Sequence, residues 1–179
     1  MARFVGFLRG INVGGRNKLS MKRLIQIFHD CGAQAVATYI QSGNVRFSAS
    51  NQAESVLVAR RVERQLAEED HVESLVVLRT PRAIQGLIET HPFVADEEDE
   101  RFVSVGFFSK TPSADAVARL DKDRSPPDRF VVRRADLFLH TPQGMGRSKL
   151  TVGYFDVQLG VVTTVRNLKT LRAIVALEG

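Results

Sequence analysis

The chain has 179 residues, 44% of them apolar, and a net charge of +5, enough for a real core in one domain or two small ones. Charges interrupt every apolar run before it reaches the length of a membrane span, and the short apolar stretch after Met1 reads as a strand, not a signal sequence. One cysteine, Cys31, excludes an internal disulfide and points to a reducing, cytoplasmic setting.

The charge is unevenly spread. Residues 1–46 carry seven Lys or Arg against Asp30 alone, residues 47–128 ten against sixteen acids, and residues 129–179 eight against three. A fold that unites the two basic ends makes a face for an anionic partner. A mixed, solvated surface is the competing reading.

Arg3–Arg9 alternates as a buried strand. Ser20 is placed as an N-cap, Met21, Leu24, Ile25 and Phe28 follow at helical spacing, and Gly32 ends that helix. Residues 35–41 form a second strand, Ser42-Gly43-Asn44 a tight turn, and 44–48 a third strand. Residues 54–69 form a charged amphipathic helix on Leu57, Val58, Val62 and Leu66, and 72–79 a fourth strand. The order is β-α-β-β-α-β, the ferredoxin-like unit.

The rest has a related plan. Thr80-Pro81 opens a helix, 96–100 is an acidic run expected to be a solvated loop, and 102–108 is a strand. A short helix at 113–120 and a proline-containing loop at 122–128 precede a hairpin of 130–133 and 137–140. Two helices, 148–159 and 164–176, close the chain around Gly160. The expectation is an α+β protein of two packed sub-domains, 1–79 ferredoxin-like and 80–179 related to it with two C-terminal helices.

Four segments carry the chemistry. Gly10–Ser20 joins a strand to a helix as phosphate loops do. In the Walker frame, however, Arg16 stands where lysine belongs and Asn17 where Ser or Thr belongs, and the Rossmann glycine spacing is absent. What remains is generic: glycines that admit a close ligand, amides that can form a nest, and charge from Arg9, Arg16 and Lys18. Alone, this loop reads as a turn. Gln41 and Asn44 put polar groups at strand ends. In Gly144–Thr151, Arg147, Ser148 and Lys149 precede a helix whose free N–H groups attract anions, with Ser148 as cap. In Thr163–Asn167, Arg166 sits in the expected first turn of the last helix. The helix pair also invites a helix-turn-helix reading, against which the turn is one residue short and Asp156 is too polar.

Catalytic signatures are thin. His29, His71, His91 and His140 lack metal-ligand spacing, so no metal is expected, and no cofactor motif appears. His140 reads as structural and Cys31 as a core residue.

R-G-I-N-V-G-G-x-N-K, Y-I-Q-S-G-N-V, G-x-G-R-S-K-L-T and T-T-x-R-N, in this order, resemble the bacterial family called domain of unknown function 1697. The matching positions are Arg9, Gly10, Asn12, Gly14, Gly15, Asn17 and Lys18; Tyr39, Gln41, Ser42, Gly43 and Asn44; Gly146, Arg147, Ser148, Lys149 and Leu150; and Thr164, Arg166 and Asn167. Leu168 stands where the family usually has tryptophan. The resemblance implies an α+β fold with ferredoxin-like halves and no particular activity.

Together these segments predict one composite anion site for a phosphorylated small molecule or nucleotide. Arg9, Lys18, Arg147, Lys149 and Arg166 supply charge, the Gly14-Gly15 backbone and the N-termini of the last two helices supply amides, and Gln41, Asn44 and Asn167 orient the ligand in a cleft expected between the halves; Gly10, Asn12, Ser42, Gly43 and Ser148 are further ligand-binding candidates. Nucleic-acid binding by the basic face, and a structural role in which the polar segments only tie the halves together, are the competing readings. No membrane partner is expected.

Overall fold

Phe4, Gly6 and Leu8 fall on one side of the first strand, β1 (Ala2–Leu8), and that side receives the helices. A Cβ on Gly6 would stand 3.0 Å from Val76 and 3.6 Å from Phe28, so a glycine is needed where the helix comes closest. The computed structural model describes residues 1–96 and 99–177. Glu97 and Glu98, in the acidic run expected to be a loop, lie outside the described residues.

The first unit comprises Met1–Gln85 and the chain from Ala173 on. Its elements are β1, α1 (Met21–Asp30), β2 (Gln34–Tyr39), β3 (Asn44–Ala49), α2 (Gln52–Glu69) and β4 (Val76–Arg79), in the expected order. The sheet is antiparallel with strand order β2-β3-β1-β4. Ser20 caps α1, its Oγ accepting from Arg23 N–H at 3.1 Å, and Asn51 caps α2 in the same way. Leu24, Ile27 and Phe28 of α1 and Val58, Val62 and Leu66 of α2 are fully buried with Phe47 and Val45, each side chain contributing about 1.5–3 kcal/mol by leaving water. Leu57, expected on that face, is 44% exposed; Ala59 and Ser55 are buried on it instead. β4 is shorter than expected because residues 71–75 are irregular, and Val76 N–H is bonded by the Glu63 carboxylate at 2.7 Å.

α3 (Pro81–Glu89) begins in the first unit and ends in the second, which spans Gly86–Arg172. The second unit runs β5 (Val103–Phe108), α4 (Ala114–Ala118), β6 (Arg129–Arg133), β7 (Asp136–His140), α5 (Val152–Leu159) and β8 (Thr163–Asn167), and α6 (Leu168–Ala176) follows. Its sheet has the order β6-β7-β5-β8, the same arrangement as the first.

β8 corrects the expectation of a helix from 164. Thr163, Thr164 and Val165 are β-branched and pair antiparallel with β5, from Thr163 opposite Phe108 to Asn167 opposite Ser104. The helix starts only after Asn167, whose Oδ1 accepts from Thr170 N–H at 2.8 Å. The helix-turn-helix reading falls with it, since its recognition-helix start is a strand. α5 likewise starts later than expected. Thr151 is its cap, and Ser148 ends a short 3-10 turn.

Candidate functional site

The chain passes from β1 to α1 through Arg9–Ser20, and this loop is built rather than slack. Gly14 and Gly15 hold left-handed φ of 58° and 76°, and Arg16 N–H donates to Val13 O at 3.1 Å across them. The result is a two-residue hairpin, which needs positive φ at both central positions. Asn12 and Asn17, also left-handed, close its base, with Asn12 N–H donating to Asn17 O at 3.1 Å. Asn17 Nδ2 donates to Gly10 O at 3.0 Å. Asn12 Nδ2 donates to Leu19 O and to Gln41 O, each at 2.9 Å, and Asn12 Oδ1 accepts from Leu19 N–H at 2.8 Å. One carboxamide thus ties the hairpin to the start of α1 and to the turn before β3.

That turn is equally determined. Leu8 N–H donates to Gly43 O at 2.8 Å. Gly43 has a φ of 74°, and a Cβ there would stand 2.8 Å from Leu8 Cβ. Asn44 is fully buried, and its Nδ2 donates to Tyr39 O at 3.1 Å and Ser42 Oγ at 2.8 Å. Ile40 holds a φ of 48°, costly for a β-branched residue, and is 52% exposed; Val13, at the hairpin, is 64% exposed.

Beside the two turns lies an open depression of about 540 Å³ lined by Asn12, Gly15, Lys18, Leu19, Ser20, Met21 and Gln41. The Arg16 and Lys18 side chains are exposed and make no ion pair among the described residues. The N–H groups of Gly14 and Gly15 donate to no described acceptor. No acid lies in the first turn of α1. Gly15, Lys18 and the start of α1 border the depression, an arrangement that can give it a positive field. Among the described residues, no carboxylate, histidine or thiol lines it.

The expected residues of the second unit have other surroundings. Arg147 and Lys149 are exposed, as is Gly146. Ser148 Oγ accepts from Leu150 N–H at 3.0 Å, so it shapes the turn instead of capping a helix. The Lys149 backbone is held by the preceding loop: its N–H donates to Ser125 Oγ at 3.0 Å, and its carbonyl accepts from Arg124 Nε at 3.0 Å. Arg166 lies in β8, not at a helix start. Its Nη1 donates to Thr164 Oγ1 at 2.7 Å and Val165 O at 2.8 Å, and burial of the guanidinium pulls its pKa down to about 10. Asn167 is committed as the α6 cap. In the first unit Arg9 is half-buried, its backbone N–H donating to Leu75 O at 3.0 Å and its carbonyl accepting from Ser74 Oγ at 2.8 Å.

Groups set aside on sequence stay aside. Cys31 is buried, its Sγ donates to Gln65 Oε1 at 3.3 Å, and burial raises its pKa, the reverse of a nucleophile. His91 is buried between Ser104 O and Phe93 N–H. Sequence reasoning passes over Val13 and Ile40, because an aliphatic residue at a strand end reads as core. The signal for the hairpin is the Gly14-Gly15 pair itself.

A family model described as "Protein of unknown function (DUF1697)" matches residues 1–138. The chain belongs to this family. The DUF1697 match takes in both turns of the first unit and stops before Gly146–Leu150 and Thr164–Asn167. The solved structure of the conserved bacterial protein SP0830 from Streptococcus pneumoniae is similar over 97% of this chain and 96% of that one, with a TM-score of 0.71 and 23% identity, a likeness of fold. No curated protein matches.

Proposed function

We propose that this DUF1697 protein binds a phosphorylated small molecule or nucleotide in the depression beside the Gly10–Ser20 hairpin. The observation that carries this reading is that Lys18 and Gly15 both line the depression, Lys18 without an ion pair and the Gly15 N–H without an acceptor among the described residues, with Arg16 and Gly14 beside them in the same hairpin. Gln41 faces the same depression. An anion there gains amide bonds from a preformed loop and charge from two flexible side chains. The apolar rim formed by Met21, with Val13 and Ile40 exposed on the adjoining turns, suits a ligand with an apolar part, such as a base.

Asn12, Asn17 and Asn44 play a different part. Their side chains are consumed by the loops, which supports the structural reading for these three positions. They shape the site and do not touch the ligand.

The test is thermal stabilisation by inorganic phosphate and by nucleotides, compared between the wild type and Lys18→Ala. Stabilisation that Lys18→Ala abolishes supports the reading; equal behaviour of the two proteins sinks it. Binding that weakens steeply with salt and ignores the nature of a mononucleotide favours nucleic acid instead.

A further inference from the structure

β6 is the outer strand of the second sheet and pairs only with β7. Arg134 and Ala135 make a two-residue connection, so Arg133 and Asp136 close the ladder. Bonding alternates along an antiparallel strand, so Arg129, Val131 and Arg133 direct their backbone groups to β7. The N–H and C=O groups of Phe130 and Val132 face outward, and no described residue bonds them.

The space beside this edge is shaped. α4 has five residues, and its Val117 lies across from Val132. Two depressions, of about 370 and 200 Å³, run along it and share Val117 and Val132. Lys122 lies at the Phe130 end and Arg134 at the other, both exposed and without an ion pair among the described residues. Among the described residues, no carboxylate lines either depression. From Phe130 to Arg133 the strand covers about 10 Å at ~3.3 Å per residue.

We propose that this edge accepts an added strand: an extended peptide segment of a partner protein, apolar in its middle and carrying a carboxylate toward each end. The free backbone groups supply the ladder, the apolar depressions take the middle side chains, and the two cations set the charge pattern. Charge also decides against a second copy of this chain. An antiparallel pair of β6 strands centred on Val131 sets Arg133 of each copy against Arg129 of the other, which is unfavourable although Arg129 also bonds the Asp96 carboxylate at 2.8 Å. Cationic ends likewise guard the edge against non-specific pairing.

The test is fluorescence anisotropy with two labelled peptides, Glu-Val-Thr-Val-Glu and Lys-Val-Thr-Val-Lys. The wild type should bind the first at least about tenfold more tightly. Reversing both cations, Lys122→Glu with Arg134→Glu, should invert that preference. Val132→Pro removes one outward N–H while leaving the β7 ladder, and should abolish binding of either probe at little cost in melting temperature. If Val132→Pro fails to fold, the inversion decides. Equal binding of the two peptides, binding of neither at millimolar concentration, or a dimer in sedimentation that Val132→Pro dissociates would each overturn the proposal.

Discussion

The Asn12 side chain pairs with the Leu19 backbone as a neighbouring strand would: Oδ1 accepts from Leu19 N–H at 2.8 Å while Nδ2 donates to Leu19 O at 2.9 Å. Nδ2 also reaches Gln41 O at 2.9 Å. At roughly 1 kcal/mol for each bond, Asn12→Ala should cost about 3 kcal/mol, with a further ~1 kcal/mol because alanine dislikes left-handed φ. Asn12→Gly loses the same bonds without the backbone cost and should be the milder change by that last kilocalorie. Urea unfolding of the two variants separates the contributions. Two variants within a few tenths of a kcal/mol of the wild type would show that the carboxamide ties nothing.

Gly43 and Gly14 both hold positive φ, but for unequal reasons. A Cβ on Gly43 would meet Leu8 Cβ at 2.8 Å, whereas one on Gly14 would meet nothing within 4 Å. Gly14→Ala should therefore cost only the conformational ~1 kcal/mol. Gly43→Ala adds displacement of packed neighbours and should cost about 3 kcal/mol or more. Equilibrium denaturation of the two alanine variants checks the order, and a reversed order would refute it.

His91 gives the protein a defined acid sensitivity. Nε2–H donates to Ser104 O at 2.9 Å and Nδ1 accepts from Phe93 N–H at 3.2 Å, so the ring is held neutral. Burial lowers its pKa first of all, the Ser104 bond raises it, and the charges of Arg133 and His140 lower it further. The unfolded chain therefore takes up this proton more readily than the folded one. Stability from His91 is present above its ordinary value of 6.5 and is lost as pH falls below it toward the folded value. Unfolding free energies from pH 7.5 to 5 should fall more steeply for the wild type than for His91→Gln. Parallel profiles would remove His91 from the account.

The first unit is legible because each signal it uses is local. Ser20 caps the helix that follows it, and the apolar periods of β1 and α1 match their buried faces, whereas α2 turns Leu57 outward and starts two residues earlier than read, at an Asn51 cap. β8 is misread because Thr163-Thr164 serves equally as a cap or as a β-branched strand, and only pairing with β5 decides. The same holds for Ser148, a capping residue by type that is bonded to Leu150 N–H within a turn. The fate of the asparagines lies further off. Asn12 finds partners 7 and 29 residues away, so a side chain that looks ready for a ligand is consumed by the fold. Lys18 and Arg16 look the same in sequence and have no ion-pair partner among the described residues.

Those two cations give the last prediction. If the hairpin rim holds a phosphate, the bound state loses a charge-assisted contact in Lys18→Ala and another in Arg16→Ala, each worth about 1.5–3 kcal/mol, or ten- to a hundred-fold in Kd. Neither side chain is bonded to a described residue, so neither change should move the melting temperature without ligand by more than a degree or two, in keeping with about 0.5 kcal/mol for exposed sites. A nucleotide present at ~100 times its Kd stabilises the wild type by about 2.7 kcal/mol, and most of that gain should vanish in either variant. Asn12→Gly separates the two roles within the loop: it should lower stability with and without ligand, because it loosens the hairpin that presents the Gly14 and Gly15 amides. If phosphate and nucleotides stabilise Lys18→Ala and Arg16→Ala as well as they do the wild type, the anion is held elsewhere and the hairpin is only a turn.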